Sequence, residues 1–321
     1  MNSSTELSPQ LMAILAGYIP IGLMALTIVC NCFTIYIYAQ DVFSKVSETF
    51  YLKAMALFDS LLIFQTLGFS LSYAFGIDLK TSSNLACKLL YFASYSFESI
   101  STWCEALASL DRCIHISIGG KFKILNRVWF KFTLIGAIFV VNSALYYPMF
   151  AYFVLIDMSN QSQNETTIIT CLSTNGYYSF VLSWIDLFAK IIVPFSIMFV
   201  STLFLVKSLV SSRKRARVKE WQNITLKSNN SASTALKKSK SREQRDFQFA
   251  LTSITLNILS LLLNLPITFF TIYDINVESG NDLLFAISNI CFYLNLSYKF
   301  FLYVWVNVKF REEFLKIFKN F

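Results

Sequence analysis

Seven long apolar stretches, separated by polar segments, dominate the hydrophobic pattern of the chain. A helix that crosses a membrane needs about 20 mainly apolar residues, and each stretch reaches that length. They cover residues 11–39, 50–73, 86–115, 129–153, 177–209, 247–273 and 283–306. This pattern predicts an all-α membrane protein, a bundle of seven transmembrane helices that forms one domain over residues 1–321.

The composition supports a membrane protein over a soluble one. Hydrophobic residues make up 55% of the chain and charged residues 14%, whereas soluble domains carry about 25% charged residues. The 32 Phe and 16 Tyr argue against a disordered chain, because so much apolar surface would not stay solvated. Residues 1–10 are polar and the first apolar stretch is too long for a signal-peptide core, so we expect residues 1–10 to form an extracellular tail.

The net charge of +8 is concentrated in one loop. Segment 211–247 holds eleven basic residues and three acidic ones, and an excess of Lys and Arg marks cytoplasmic loops. The loop between the third and fourth stretches is also basic, while the loops on the opposite side are acidic. We therefore expect the N-terminus outside and the C-terminus inside, and we expect no binding to nucleic acid.

Several surface features agree with this orientation. The sequons at Asn2, Asn160 and Asn164 all fall on the predicted outer side, where glycosylation takes place. Cys87 begins the third stretch and Cys171 lies in the outer loop before the fifth, so both are exposed to an oxidising compartment. We expect these two cysteines to form a disulfide.

Ionisable residues inside the apolar stretches are costly and usually functional. Glu98, Glu105 and Arg112 are spaced seven apart, and two helical turns put them on one stripe together with Ser101. That stripe must face the bundle interior. The full set consists of Asp59, Glu98, Glu105, Asp111, Arg112, Asp186, Lys190 and Lys299.

Motifs in register across the spans resemble those of rhodopsin-like (class A) G-protein-coupled receptors. They are Asn31, Leu57-Phe58-Asp59, Asp111-Arg112-Cys113, Pro194, Pro266 and Tyr303. The run Phe300-Phe301-Leu302-Tyr303 is most similar to neuropeptide receptors, particularly the invertebrate FMRFamide-like group. The resemblance implies a plasma-membrane receptor for an extracellular ligand, here a neuropeptide, that activates a heterotrimeric G protein and recruits arrestin. It implies no catalytic site, no metal and no cofactor.

The chain departs from the family where two motifs are expected. Asn264 replaces the aromatic residue before the proline of span six, and Lys299 and Phe300 replace the Asn-Pro of span seven. Asp59 resembles the family's sodium-coordinating aspartate. The family register brings Lys299 and Glu105 near it, so we hypothesise that the Lys299 ammonium substitutes for sodium and pairs with Asp59, Glu105 or both. Alternatively, Lys299 extends toward water at the inner interface. The expected intramembrane polar network is Asn31, Asp59, Ser101, Glu105, Asn295 and Lys299.

The resemblance also assigns a role to the inner end of the bundle. Arg112 is expected to pair with Asp111 in the inactive state and to reach the G protein when the inner end of span six moves about Pro266. A simple interfacial arginine is the alternative. The residues expected to take part in coupling or activation are Asp111, Arg112, Pro194, Asn264, Pro266 and Tyr303.

The outer halves of the spans contain the candidate ligand pocket. Asp186 and Lys190 are four apart on one helix and can pair, and Lys190 approaches Glu98 in the family register. These groups either line a pocket or satisfy one another. Ser94 stands at the family's amine-binding aspartate and Tyr293 at its retinal lysine, which argues against a monoamine or retinal ligand. The acidic outer loops either attract a cationic peptide or serve only solubility and topology.

Two cytoplasmic segments complete the prediction. Loop 211–247 is expected to be mostly disordered, with helical extensions at both ends, and to contact anionic lipid or the G protein. Its Ser and Thr residues are the expected phosphorylation sites for arrestin, since none follows Tyr303. Segment 309–321 is expected to form a short amphipathic helix on the membrane surface.

Other functions remain as alternatives. A receptor of the same family for a small-molecule or chemosensory ligand is the first alternative. A transporter or channel would explain the buried charges, but it predicts repeated halves, which the sequence lacks. Enzymatic activity is disfavoured because the chain has one His and no cluster typical of a metal site.

Overall fold

The computed structural model describes residues 8–43, 46–118, 127–157, 169–225, 247–248, 250–270 and 282–319, with 209 and 212–225 described by their backbone alone. Eight helices and one hairpin make up this part of the chain. The helices are α1 (Pro9–Tyr38), α2 (Thr49–Phe75), α3 (Asn84–Ile118), α4 (Val128–Tyr152), α5 (Gly176–Asp186 continuing to Thr225), α6 (Ala250–Phe270), α7 (Asp282–Val306) and α8 (Val308–Lys319). The strands are β1 (Phe153–Asp157) and β2 (Ile169–Ser173).

The first seven helices form the predicted transmembrane bundle. Six of those described are long and apolar enough to cross a membrane. The exception is α3, which carries the stripe of charged residues. It packs on α2, α4 and α5, so its polar groups face other helices. Large apolar side chains on the outside of the bundle face the lipid instead, such as Phe64, Phe132 and Trp305, which are 64%, 63% and 76% exposed.

Two helices contain a π-helical turn just before a proline. These turns are Ala13–Tyr18 in α1 and Leu187–Ile192 in α5, and Pro20 and Pro194 follow them. A proline lacks the amide hydrogen and its ring clashes with the carbonyl four residues earlier, so the helix widens at that point. In α5 the amide of Val193 donates to the Phe188 carbonyl, five residues back, which leaves the Ala189 carbonyl available to another group.

The two strands form an antiparallel hairpin that is joined covalently to α3. Leu155 of β1 is in register with Cys171 of β2, and Cys171 forms the predicted disulfide with Cys87. Both cysteines are buried together with Tyr146 and Met149 at the end of α4. The disulfide therefore fixes the hairpin at the predicted outer end of the bundle.

Helix α8 packs against the bundle through part of its apolar face. Phe310 is fully buried and its ring contacts those of Tyr38 and Tyr303. Phe314 packs on Phe33 of α1. Phe318 is 58% exposed, so only the far end of this face is left for lipid. The expectation of an amphipathic helix is confirmed, with α1 and α7 covering its first turns.

Some sequence predictions fall outside the described residues. They concern the sequons at Asn2, Asn160 and Asn164, most of the basic loop 211–247 and the last two residues of segment 309–321.

Candidate functional site

A buried ion pair joins α7 to α2 in the middle of the bundle. Lys299 Nζ lies 2.9 Å from Asp59 Oδ2 and 3.9 Å from Glu105 Oε2. All three side chains are almost completely buried. The pairing expected from the sequence is therefore present, and Lys299 does not extend to the inner interface. Two carboxyl groups therefore share one ammonium in this cluster.

Hydrogen bonds extend this cluster to α3 and α6. Ser101 Oγ donates to Asp59 Oδ1, and Ser260 Oγ donates to Glu105 Oε2 at 3.1 Å. Asn264 Nδ2 then reaches Ser260 Oγ at 3.4 Å, and Asn295 Nδ2 reaches Asn264 Oδ1 at 3.3 Å. The asparagine in place of the expected aromatic residue is thus one of the links between α6 and α7. Ser260 is a member of the network that the sequence reading missed.

Asn31 is separate from the charged cluster. Its side-chain amide donates to Ser60 Oγ at 3.2 Å, next to Asp59 in the sequence. It therefore fixes α1 to α2 without contacting a charged group.

A second asparagine, Asn257 on α6, donates to Ser109 Oγ of α3 and Thr202 Oγ1 of α5, both at 2.9 Å. This contact joins three helices and was not predicted.

A second charged cluster lies in the predicted outer half. Lys190 Nζ is 2.7 Å from Asp186 Oδ2 and 3.1 Å from Glu98 Oε2. Tyr146 donates its hydroxyl hydrogen to Asp186 Oδ1 at 3.1 Å. Lys190 belongs to the π-helical turn of α5, and Trp103 of α3 donates to the freed Ala189 carbonyl at 2.9 Å. The widened turn therefore helps to fix α5 against α3 at the cluster.

The outer cluster forms one wall of a cavity. The cavity has an empty volume of about 760 Å³, including space that is open to solvent. Its walls come from α2, α3, α5, α6 and α7. The predicted pocket residues Ser94, Glu98, Asp186, Lys190 and Tyr293 all line it.

Lys80, in the connection between α2 and α3, also lines this cavity. Its ammonium lies 4.5 Å from the ring centre of Phe69 and 4.8 Å from that of Tyr91. Burial lowers the pKa of Lys80 to about 8, although nearby Asp78 acts in the opposite direction. The cavity therefore contains two separate cations, Lys80 and Lys190.

At the opposite end of the bundle, Arg112 forms an ion pair with Glu48. Arg112 Nη1 lies 3.2 Å from Glu48 Oε2, and both side chains are buried. The expected pairing of Arg112 with Asp111 was wrong in this conformation. Arg112 contacts Glu48 of the connection between α1 and α2, and Asp111 contacts the neighbouring Ser47 of the same connection.

Asp111 binds the residue that precedes Glu48. Ser47 Oγ donates to Asp111 Oδ1 at 3.0 Å, and Lys131 Nζ of α4 donates to the Ser47 carbonyl at 2.7 Å. The adjacent residues Ser47 and Glu48 thus engage the adjacent residues Asp111 and Arg112. This arrangement holds the inner end of α3 to the start of α2 and, through Lys131, to α4.

Comparison with known proteins decides the family. A family model described as 7 transmembrane receptor (rhodopsin family) matches residues 30–303, which includes most of the bundle and both charged clusters. The chain belongs to the rhodopsin family of seven-transmembrane receptors. No curated protein matches the sequence.

The remaining predicted positions can now be placed in this receptor. Tyr303 is buried beside Tyr38 and Phe310 at the inner end of α7. The carbonyl of Pro266 accepts a hydrogen bond from Ser288 Oγ at 3.1 Å, so the proline segment of α6 is attached to α7. Pro194 directly follows the π-helical turn that carries Lys190.

Proposed function

We propose that this receptor binds an extracellular peptide in the outer cavity and activates a heterotrimeric G protein at the opposite end. The open cavity beside the disulfide-linked hairpin carries the proposal, because it offers charged groups of both signs to a ligand. The acidic loops predicted on that side favour a peptide with basic residues.

The inner end provides the proposed output. Arg112 is buried against Glu48, and its release would expose a cationic group to a cytoplasmic partner. Ligand binding would favour a conformation in which α6 moves away from α3. The Lys299 cluster lies in the bundle between these two ends. It contacts α2, α3 and, through Ser260, α6. It is a candidate for the coupling between ligand and output.

A cell assay tests the proposal. Cells that express the receptor together with a promiscuous G protein are exposed to a panel of neuropeptides, amidated forms included, and intracellular calcium is recorded. We expect a dose-dependent response to a subset of peptides. Arg112→Ala should abolish that response at equal surface expression, measured with an N-terminal epitope on intact cells. Ion currents or substrate uptake without G-protein activation would favour a channel or transporter instead.

A small-molecule ligand is the second candidate. The cavity lining combines aromatic side chains, such as Phe69, Tyr95 and Phe292, with a few charged groups, a combination that is usual for small-molecule sites. A small-molecule library in the same cells distinguishes the two, since a peptide receptor should respond to peptides at lower concentration.

Three further assignments are proposed with the receptor function. They are location in the plasma membrane, glycosylation at Asn2, Asn160 and Asn164, and arrestin recruitment through phosphorylated residues of loop 211–247. Surface labelling, a mass shift after glycosidase treatment, and mass spectrometry of agonist-treated cells test them in turn.

A further inference from the structure

The charges that line the outer cavity are divided between two places. On one side, Lys190 is held by two carboxylates, those of Glu98 and Asp186. On the other side lies Lys80, near the rings of Phe69 and Tyr91. The first group therefore offers two carboxyl groups for one ammonium, and the second offers an ammonium alone.

Glu98 is the carboxylate of the first group that remains available to a ligand. Asp186 uses both oxygens, since Oδ2 contacts Lys190 and Oδ1 accepts from Tyr146. Glu98 contacts Lys190 through Oε2. Its Oε1 has no hydrogen bond within the part of the chain that the structure describes, and its side chain is 19% exposed. An ionised carboxylate has several acceptor sites, so this oxygen can bind a cationic group.

Lys80 is the group available to an anion. An ammonium has three hydrogen-bond donors, yet among the described residues no carboxylate lies within 4.0 Å of Lys80 Nζ. The Oδ1 atom of Asp78 accepts from the Lys80 backbone amide at 2.9 Å. Contact with two aromatic rings offsets only part of the desolvation of a partly buried cation. A carboxylate in the cavity would supply the missing partner.

We propose that the outer cavity recognises a peptide at two points, binding a ligand carboxylate through Lys80 and a ligand cation through Glu98. This inference rests on the proposed peptide receptor and specifies its ligand class. The peptide carries a basic group together with a free carboxylate, at its C-terminus or on an acidic side chain. A peptide that is amidated and has no acidic residue lacks the group that Lys80 binds.

Matched synthetic peptides provide the probe. A set of pentapeptides, each with one arginine and one aromatic residue and no Asp or Glu, is made in three forms. These are the free acid, the C-terminal amide, and the free acid with citrulline in place of arginine, which removes the charge and keeps the shape. Binding is measured by the thermal shift of the purified full-length receptor, and signalling by G-protein activation in cells.

We expect the receptor to prefer a free carboxylate because of Lys80 and an arginine because of Glu98. Free acids should bind about 10-fold or more tightly than their amides, as expected for a hydrogen bond to a charged group. Lys80→Met should remove that preference and Lys80→Arg should keep it. Glu98→Gln should likewise remove the preference for arginine over citrulline. Lys88→Met is the control. Lys88 lies in the first turns of α3, a short distance along the chain from Lys80, and it does not line the cavity.

The two proposals fail in different ways. If no free acid stabilises the wild-type receptor more than its amide, or if Lys80→Met keeps the preference, the two-point inference is wrong. If amides and acids activate the G protein equally, it is also wrong while the receptor function stands. If free acids bind through Lys80 and no G protein responds, the inference stands and the proposed coupling fails. A melting temperature of Lys80→Met no lower than that of the wild type in the absence of peptide excludes misfolding as the cause of lost binding.

Discussion

Arg112 of α3 is bound by Glu48, the residue that precedes the first turn of α2, with 3.2 Å between Nη1 and Oε2. The side chains are 4% and 7% exposed. Ser47, which precedes Glu48, donates a hydrogen bond to Asp111, which precedes Arg112. The inner end of α3 is therefore held by the connection between α1 and α2, and Arg112 is withheld from the cytoplasm.

The first prediction concerns this restraint. Glu48→Gln removes the charge that holds Arg112 and keeps the shape, so we expect higher basal G-protein activation than in the wild type. Glu48→Asp, which keeps the charge, is the control and should lie between the two. Basal activity is measured without ligand and normalised to surface expression. Equal basal activity in all three proteins would show that the pair does not restrain the receptor.

The second prediction concerns stability at the Lys299 cluster. Lys299→Met leaves Asp59 and Glu105 buried without their cation, and breaking a buried pair in this way costs about 3–5 kcal/mol. We expect a large drop in the thermal stability of the purified receptor and altered basal and stimulated signalling. Combining Lys299→Met with Asp59→Asn should restore part of the stability. If Lys299→Met alone kept wild-type stability and signalling, the cluster would contribute to neither.

The third prediction separates the lysine from a bound ion. Because the Lys299 ammonium lies 2.9 Å from Asp59, the wild-type receptor needs no sodium ion there. Its thermal stability should be the same in sodium chloride as in N-methylglucamine chloride at equal ionic strength. Lys299→Asn, which removes the ammonium and supplies an oxygen ligand, should become more stable in sodium. A sodium-dependent wild type would contradict the substitution hypothesis.

Residue pairs were placed correctly where a helix period or a family register fixed them. Asp186 and Lys190 pair because they are four apart on a helix. Lys299 and Asp59 are 240 residues apart, and their contact was anticipated only because the family resemblance supplied the register of α2 and α7. The Cys87–Cys171 disulfide followed from the predicted side of the membrane.

The parts that sequence reasoning missed depend on loop geometry and on backbone hydrogen bonds. Glu48 lies in a short connection, where periodicity says nothing about direction, so its contact with Arg112 was not foreseen. The π-helical turn that frees the Ala189 carbonyl for Trp103 leaves no mark in the hydrophobic pattern. Its one sequence signal is Pro194, which was read as a general family feature.

The fourth prediction concerns pH and Lys80. Burial lowers the pKa of Lys80 from the ordinary 10.5 to about 8 in the folded receptor. At a pH between these two pKa values, the unfolded chain keeps a proton on Lys80 that the folded receptor has released. Stability from this group should therefore rise with pH between about 8 and 10.5. Asp78 of the same loop and Tyr91 of α3 are the other titratable groups beside it. The check is the melting temperature of Lys80→Met minus that of the wild type. We expect it to be positive at pH 7 and to shrink toward pH 10, while a constant difference would contradict the lowered pKa.

The fifth prediction distinguishes the two carboxylates of the outer cluster. Asp186 is engaged by both Lys190 and Tyr146, whereas Glu98 keeps one oxygen for the cavity. Asp186→Asn should therefore reduce thermal stability more than Glu98→Gln, and Glu98→Gln should reduce the potency of a basic peptide agonist by about 10-fold or more. Melting temperatures and dose–response curves for both variants provide the test. If Glu98→Gln lowers stability as much as Asp186→Asn and leaves potency unchanged, the cluster only satisfies its own charges. In that case Glu98 belongs to the packing between α3 and α5 and not to ligand recognition.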